Sequence, residues 1–248
     1  MEVMGGKVLE YEAKTILRQG IEQGIEQGVA SSARKMLKKG LSCEEVAHYL
    51  DMNLTGLTEQ LMQVAKKYYN VSVSEDVLDL LIKHAVITQY QTGDVLCEVG
   101  DVLNKTGFVL DGIIRSSFLT YGGKDITRYF HTKYSMVMDD CMLGFSESKY
   151  RCEVIRDAVI MMFDANTLKG IIKDNAALKE IYTLSLESGL RYKLYRENEL
   201  MTKNALERYL QFVEDFPDLA ANVKQRDIAT YLGIEPQSLS RIKRQLKN

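Results

Sequence analysis

Between Ile87 and Phe163 the chain leaves helical spacing for short apolar or alternating runs. This switch of period constrains the fold more than any other feature of the sequence. The runs are ITQYQ, DVLCEV, TGFVLDG, IIRSSFLTY, ITRYFH, RCEVI and VIMMF. Turn signals stand between them: Thr92-Gly93-Asp94, Gly100-Asp101, Asp111-Gly112 and Gly122-Gly123. Side chains alternate faces along a strand, so short runs punctuated by glycine predict an antiparallel barrel or roll. Asp111-Gly112 and Gly122-Gly123 are expected to close tight hairpins, whose central residues must tolerate positive φ.

Helical spacing flanks this block on both sides. Upstream, residues 10–69 read as helices. RQGIEQGIEQGVASSARKMLKKG repeats a four-residue unit with Gly20, Gly24 and Gly28 in register. It reads as a solvated helix or linker, the alternative being a stripe for close helix contact. In GLSCEEVAHYLDMNLTGLTEQLMQVAKKY, Gly40 suits a helix end and Ser42 with Glu45 has capping-box spacing. A second helix is expected to start after Asn53 or Thr55, making a helical hairpin. That second helix offers no cation before Lys66, so it reads as packing rather than DNA contact. Val77, Leu80 and Leu81 mark one more short amphipathic helix within 71–86.

Downstream of Asn166 no proline occurs until Pro217. Tyr182, Leu186, Leu190, Leu194 and Met201 form one apolar stripe on a helix much longer than the mean of ~11 residues. Such a stripe between two domains predicts a dimer seam, against the alternative that it packs on its own barrel. In the tail, VKQRDIATYLG turns Ile228, Ala229 and Leu232 inward, Gly233 takes the turn, and Pro236 fits the first helical position after Glu235. Leu239, Ile242 and Leu246 then form a buried face. The outward set is Gln237, Ser238, Ser240, Arg241, Arg244 and Lys247. A helix that begins with short polar residues and carries an arginine one turn in fits a DNA major groove. Arginine can grip guanine and glutamine adenine through paired hydrogen bonds.

Charge supports that reading once it is divided along the chain. Residues 222–248 carry six cations (Lys224, Arg226, Arg241, Lys243, Arg244, Lys247) against two anions, a local +4 in a protein of net charge −2. Residues 1–70 are neutral, so the middle is acidic. No apolar run approaches the ~18 residues of a membrane helix, and the N-terminus lacks a signal-peptide pattern. Cys43, Cys97, Cys141 and Cys152 are spread without a CxxC pair. That predicts a reducing cytoplasm and neither a disulfide framework nor a zinc site. His48, His84 and His131 match no metal or nucleophile spacing, and no phosphate-loop, dinucleotide or GxSxG motif occurs. Asp139-Asp140 reads as a solvated pair in an exposed loop, and Cys141 and Cys152 as buried structural thiols. No catalysis, cofactor or metal is expected.

Three segments, YQTGDVLCEVGD (90–101), FVLDGIIRSSFLTYGGKDIT (108–127) and RDIATYLGIEPQSLSRIKRQL (226–246), together resemble the Crp/Fnr family of bacterial transcription regulators over roughly residues 75–248. The resemblance implies a roll that senses a signal, a long helix that pairs two subunits, and a second tail helix that reads a palindromic site. It implies base contacts from Gln237, Ser240 and Arg241, and phosphate contacts from Lys224, Arg226, Ser238 and Arg244. The stretch MVMDDCMLGFSESKYRCEV lacks the Gly-Glu and Arg-Ser/Thr pairs of the cyclic-nucleotide-binding members. Lys149 and Arg151 are the residues there that can meet a phosphate. The clustered N-terminal cysteines of iron–sulfur members are also missing, and the usual wing after the recognition helix is expected to be absent.

Residues 14–69 resemble the C-terminal helical tail of nuclease-fold transposase-like proteins, in which GxxxG-type repeats precede KKGLSxEEVA. The triplet Glu12-Ala13-Lys14 has too little chain before it for a catalytic core, so a helical appendage is expected. The whole reads as an α+β chain: a helical appendage over 1–70, a cyclic-nucleotide-binding-like β-roll over 71–165, a long dimerisation helix over 166–203 and a helix-turn-helix over 204–248. The expected function is a homodimeric regulator binding double-stranded DNA at a palindromic operator, with an unknown small-molecule effector. The alternative is a sensor or scaffold acting through protein contacts with a degenerate tail.

Overall fold

The computed structural model describes residues 43–246. The Gly20/Gly24/Gly28 stripe, the Ser42 cap and the triplet at Glu12 lie outside these residues. Helix α1 (Cys43–Tyr69) runs unbroken through Asn53 and Thr55, so the hairpin expected in this segment is a single helix. Neither residue is followed by a proline, and a helix crosses asparagine or threonine at a small cost in propensity. The helix ends at Asn70, which turns left-handed (φ 56°) and returns its N–H to the Lys66 carbonyl at 3.1 Å. Helix α2 (Glu75–Lys83) follows.

The sheet contains β1 (Val86–Tyr90), β2 (Val95–Cys97), β3 (Lys105–Leu119), β4 (Asp125–His131), β5 (Met136–Val137) and β6 (Arg151–Asp164), all paired antiparallel. Its order is β1-β6-β3-β4, with β2 on β6 and β5 on β3. Two pairs of runs expected as four strands are therefore two long ones, β3 and β6. Gly122-Gly123 closes the β3–β4 hairpin as expected, but Asp111-Gly112 is a bulge inside β3. At Gly112 φ is 100°, and a Cβ there would meet the Ala158 backbone of β6 at 2.5 Å. The glycine serves a close strand crossing instead of a chain reversal.

Val109, Ile114, Val137, Cys152, Val154 and Ile160 fill the roll. A second core joins α1 and α2 to the far ends of β6 and the following helices through Leu61, Leu78, Met161, Phe163, Leu168 and Leu178. The helical stretch expected to be continuous over 166–203 is two helices, α3 (Ala165–Asp174) and α4 (Ala176–Thr202). Asn175 separates them because its backbone is extended (φ −127°) and its Oδ1 accepts the Leu178 N–H at 3.1 Å, capping α4. Helix α4 is about 40 Å long at the usual rise per residue. Helices α5 (Ala205–Asp215), α6 (Pro217–Asn222), α7 (Gln225–Tyr231) and α8 (Pro236–Gln245) complete the described chain. No helix among the described residues is long and apolar enough to cross a membrane.

Candidate nucleic-acid interface

The last two helices stand as their periodicity predicts. Ile228, Ala229 and Leu232 of α7 and its end are buried, as are Leu239 and Ile242 of α8, beneath Tyr209, Phe212 and Leu219. The connection needs Gly233 at φ 68°, after which Ile234 N–H bonds the Ala229 carbonyl at 3.0 Å. Pro236 opens α8 at its first position. Leu246, expected as the third buried residue, is instead 49% exposed because α8 ends at Gln245, one residue before it.

On the other side of α8, Gln237, Ser240, Arg241 and Arg244 are exposed, while Ser238 is half-buried. Gln237, Arg241 and Arg244 are spaced by four and three, hence on one face. Among the described residues, Arg241 and Arg244 have no ion-pair partner. Lys224 and Arg226 are exposed at the start of α7, with Arg226 standing 4.0 Å from Asp125. The seven residues expected to meet DNA therefore belong to one two-helix unit.

That unit is seated on the roll by a polar junction that sequence reading did not find. Arg115 of β3 is only 2% exposed and bonds Asp125 at 2.7 Å and Glu153 at 2.9 Å, with Asp227 of α7 at 3.7 Å. Its Nε–H donates to the Thr127 hydroxyl at 2.8 Å. The Thr127 and Thr230 hydroxyls lie 2.9 Å apart, and Thr230 donates onward to the Asp227 carbonyl at 3.1 Å. The hydrogens thus run in one direction, from Arg115 through Thr127 and Thr230. The Thr127 N–H also donates to Thr230 Oγ1 at 3.2 Å. Lys124 at the β3–β4 turn pairs with Glu235, the residue just before the first turn of α8. Ile113 and Phe130 of the sheet complete the core of the two-helix unit.

Three carboxylates share the one buried guanidinium, and their environments divide them. Burial works upward on Asp125, but the hydrogen bonds and charge of Arg115 outweigh it and hold the carboxyl below its usual range. Burial, with Asp125 and Glu153 repelling, leaves Asp227 above that range despite Arg115.

The apolar stripe of α4 lies largely open: Leu190 is 59% exposed, Leu194 58% and Met201 76%. Leu186 is also exposed and Tyr182 half-buried. Between the stripe residues Leu194 and Met201, Arg196 donates to the Tyr231 carbonyl at 2.6 Å and stacks 3.8 Å over its ring, tying the long helix to α7.

Lys149 and Arg151 point outwards and pair with Glu147 at 3.4 Å and with Glu98 at 3.6 Å. Tyr150 between them turns into the roll, where Arg128 covers its ring at 4.3 Å. Asp139 and Asp140 are not in a solvated loop. They open a 3-10 turn, both half-buried, and Asp140 pairs with Arg128 at 3.2 Å. A cavity of about 730 Å³ lies between α1, the roll and α4, with Leu61, Phe108 and Leu178 on its apolar side and Arg128, Asp139 and Lys193 at its polar end. His131, also in its lining, is neutral down to about pH 4 because it is buried. Its Nδ1–H donates to the Met136 carbonyl at 2.7 Å, and its Nε2 accepts from Ser116.

No family model and no curated protein matches the chain. Solved structures do match its fold. The structure of FixK2 from Bradyrhizobium japonicum aligns with a TM-score of 0.59 and 19% identity, over 66% of this chain and 84% of that one. The c-di-GMP-responsive global regulator CLP of Xanthomonas campestris gives a TM-score of 0.60 at 11% identity, over 70% of this chain and 92% of that one. A protein described as a transcriptional regulator of the crp/fnr family, from Eubacterium rectale, gives 0.57 at 18% identity, over 71% and 84%. By these matches the chain, with its roll, long helix and two-helix tail, has the fold of the Crp/Fnr regulators.

Proposed function

We propose that the protein is a sequence-specific DNA-binding transcription regulator that acts as a homodimer. The observation that carries this reading is the division of α8 into a buried face, Leu239 and Ile242, and a solvent face bearing Gln237, Ser240, Arg241 and Arg244. A short helix that opens with polar residues and leaves Arg241 and Arg244 in water over its second half is what phosphate and base-edge recognition needs. In this reading Gln237, Ser240 and Arg241 read bases, whereas Lys224, Arg226, Ser238 and Arg244 hold phosphates. The open stripe Tyr182, Leu186, Leu190, Leu194 and Met201 pairs with the same stripe of a second copy, which makes the operator palindromic.

The unit boundaries follow the same division: an appendage to residue 70, the roll to 165, the helical connection to 203 and the DNA-binding unit beyond. A small-molecule effector is assigned to the cavity between α1, the roll and α4. The roll's own interior is occupied by Tyr150 and its neighbours, and Lys149 and Arg151 face away from it.

Selection of the full-length protein on a random duplex library, with Arg241→Ala in parallel, tests the reading. A palindromic motif that is enriched by the wild type and lost by the variant is expected. Loss of a bidentate base contact costs about 1–3 kcal/mol on the selected site. Lys224→Ala should weaken all duplexes alike and flatten the salt dependence. No enrichment by a folded wild type, with or without cellular extract as a source of effector, would overturn the DNA-reading function.

A further inference from the structure

Two cysteines that sequence spacing leaves far apart meet across the edge of the sheet. Strand β2 is three residues long and pairs only with β6, and Cys97 stands directly opposite Cys152 in that pairing. Directly opposed residues of an antiparallel pair have Cα atoms about 4.5–5.5 Å apart, within the roughly 4.4–6.8 Å that a disulfide spans. Both side chains belong to the roll's core, and Ser148 Oγ lies 3.6 Å from Cys97 Sγ. Cys97 is 5% exposed and Cys152 0%, so neither can join a thiol of another molecule without local opening.

We propose that Cys97 and Cys152 form an intramolecular redox couple, oxidised by a hydroperoxide to a disulfide that ties β2 to β6. The site stands apart from DNA reading and would exist even if that function were refuted.

The pair is asymmetric in the way such a couple requires. The neighbouring Cys152 thiol, opposed by burial and helped by Ser148, brings the Cys97 thiol down to about 7, while Cys152 is pushed up. Cys97 is therefore the attacking thiolate and Cys152 the resolving thiol. In the first step Cys97 Sγ attacks one peroxide oxygen, the O–O bond breaks and hydroxide leaves as water with the proton Cys97 released, giving a sulfenic acid. In the second, Cys152 Sγ attacks that sulfur, the S–O bond breaks and a second water leaves with the Cys152 proton. Two thiols and one hydrogen peroxide become one disulfide and two waters, a two-electron exchange. Access follows from the edge position, since opening three residues of β2 exposes both sulfurs. Cys141 makes a contrast: it donates to the Met138 carbonyl at 3.2 Å and burial pushes its thiol up. The new bond sits one residue from Glu153, which holds Arg115 at 2.9 Å, so oxidation acts beside the junction between roll and α7. A disulfide of this kind is compatible with a reducing compartment, where such bonds are transient and sensory.

The test uses the full-length wild type treated with hydrogen peroxide, alkylated after unfolding and digested with trypsin without reduction. The expected product is peptide 84–105 linked to peptide 152–156, two hydrogens lighter than the sum of the two and released by dithiothreitol, with Cys141 alkylated. Cys97→Ser should abolish the linked peptide, and Cys152→Ala should leave a Cys97 sulfenic acid trapped by dimedone. The proposal is overturned if wild-type Cys97 and Cys152 both remain alkylated while other cysteines oxidise. It is equally overturned if Cys97 proceeds to a sulfinic acid with Cys152 still free. Because the wild-type digest decides the matter, misfolding of either variant leaves the proposal testable.

Discussion

Arg115→Met and Asp227→Asn should differ sharply in their effect on stability, although they remove opposite halves of one ion pair. Arg115 is enclosed and satisfies Asp125 through two nitrogens, Glu153 through one and the Thr127 hydroxyl through Nε. Its loss leaves three carboxylates in mutual repulsion, with Asp125 keeping Ser117 and Arg226 at 4.0 Å and Glu153 keeping Arg151 at 3.4 Å. Removing one partner of a buried pair costs about 3–5 kcal/mol. At roughly 2–4 °C per kcal/mol for a chain of this size, the midpoint should fall by about 6–20 °C. Asp227 is in the opposite position, because burial and its two acidic neighbours outweigh Arg115 and raise its pKa. A raised carboxylate favours the fold only while protonated, and that contribution is lost as pH rises through the folded pKa. Asparagine removes the penalty present at neutral pH and keeps an acceptor for Arg115. The variant should therefore lie within about 0.5 kcal/mol of the wild type or above it at pH 7. Its advantage should vanish at about pH 3, where the aspartate is largely neutral in both states. Thermal unfolding followed by circular dichroism at both pH values reads the two effects. The reasoning fails if Asp227→Asn loses as much as Arg115→Met at pH 7, or if Arg115→Met loses less than about 1 kcal/mol.

Three further outcomes are expected. Leu190→Glu places a charge in the centre of the open α4 stripe and should convert a dimer to a monomer in light scattering after size exclusion, whereas a monomeric wild type would contradict the seam. Gly112→Ala should cost at least about 2 kcal/mol, from left-handed strain together with overlap on the β6 backbone. Gly123→Ala, with open space around its Cβ position, should lose only the strain; equal losses in urea titration would contradict the bulge. His131, whose pKa burial depresses to about 4, should make the fold less stable as pH falls from about 6.5 toward 4, because only the unfolded chain gains the proton in that window. Asp139 and Asp227, both raised, act in the other direction, so the comparison that isolates the histidine is the slope of the wild type against His131→Asn.

How much could be read from the sequence depended on the range of the interaction concerned. The face of α8 is set by spacings of three and four within ten residues, and the buried Leu239 and Ile242 lie where that spacing puts them. Asp111-Gly112 carries the same local signature as a hairpin turn. Only the register of β6, with Ala158 against Gly112, makes it a bulge. Asn175 has a legible cap signature, asparagine followed by Ala-Ala-Leu, which the continuous helical spacing around it obscured.

The junction between roll and α7 joins residues up to 112 positions apart, as from Arg115 to Asp227, so no local period encodes it. Yet β3 does contain a trace of it. From Gly112 to Ser117 every residue is buried, whereas a strand with one face in water would alternate. Ile114 turns into the roll and Ile113 into the core of the two-helix unit. A polar trio, Arg115-Ser116-Ser117, buried between apolar neighbours demands partners on both faces. On one side Ser116 finds His131, and on the other Arg115 finds Asp227 of the two-helix unit. The strand's missing alternation is therefore the sequence mark of a second layer. That second layer is the unit whose α8 faces the solvent with Arg241.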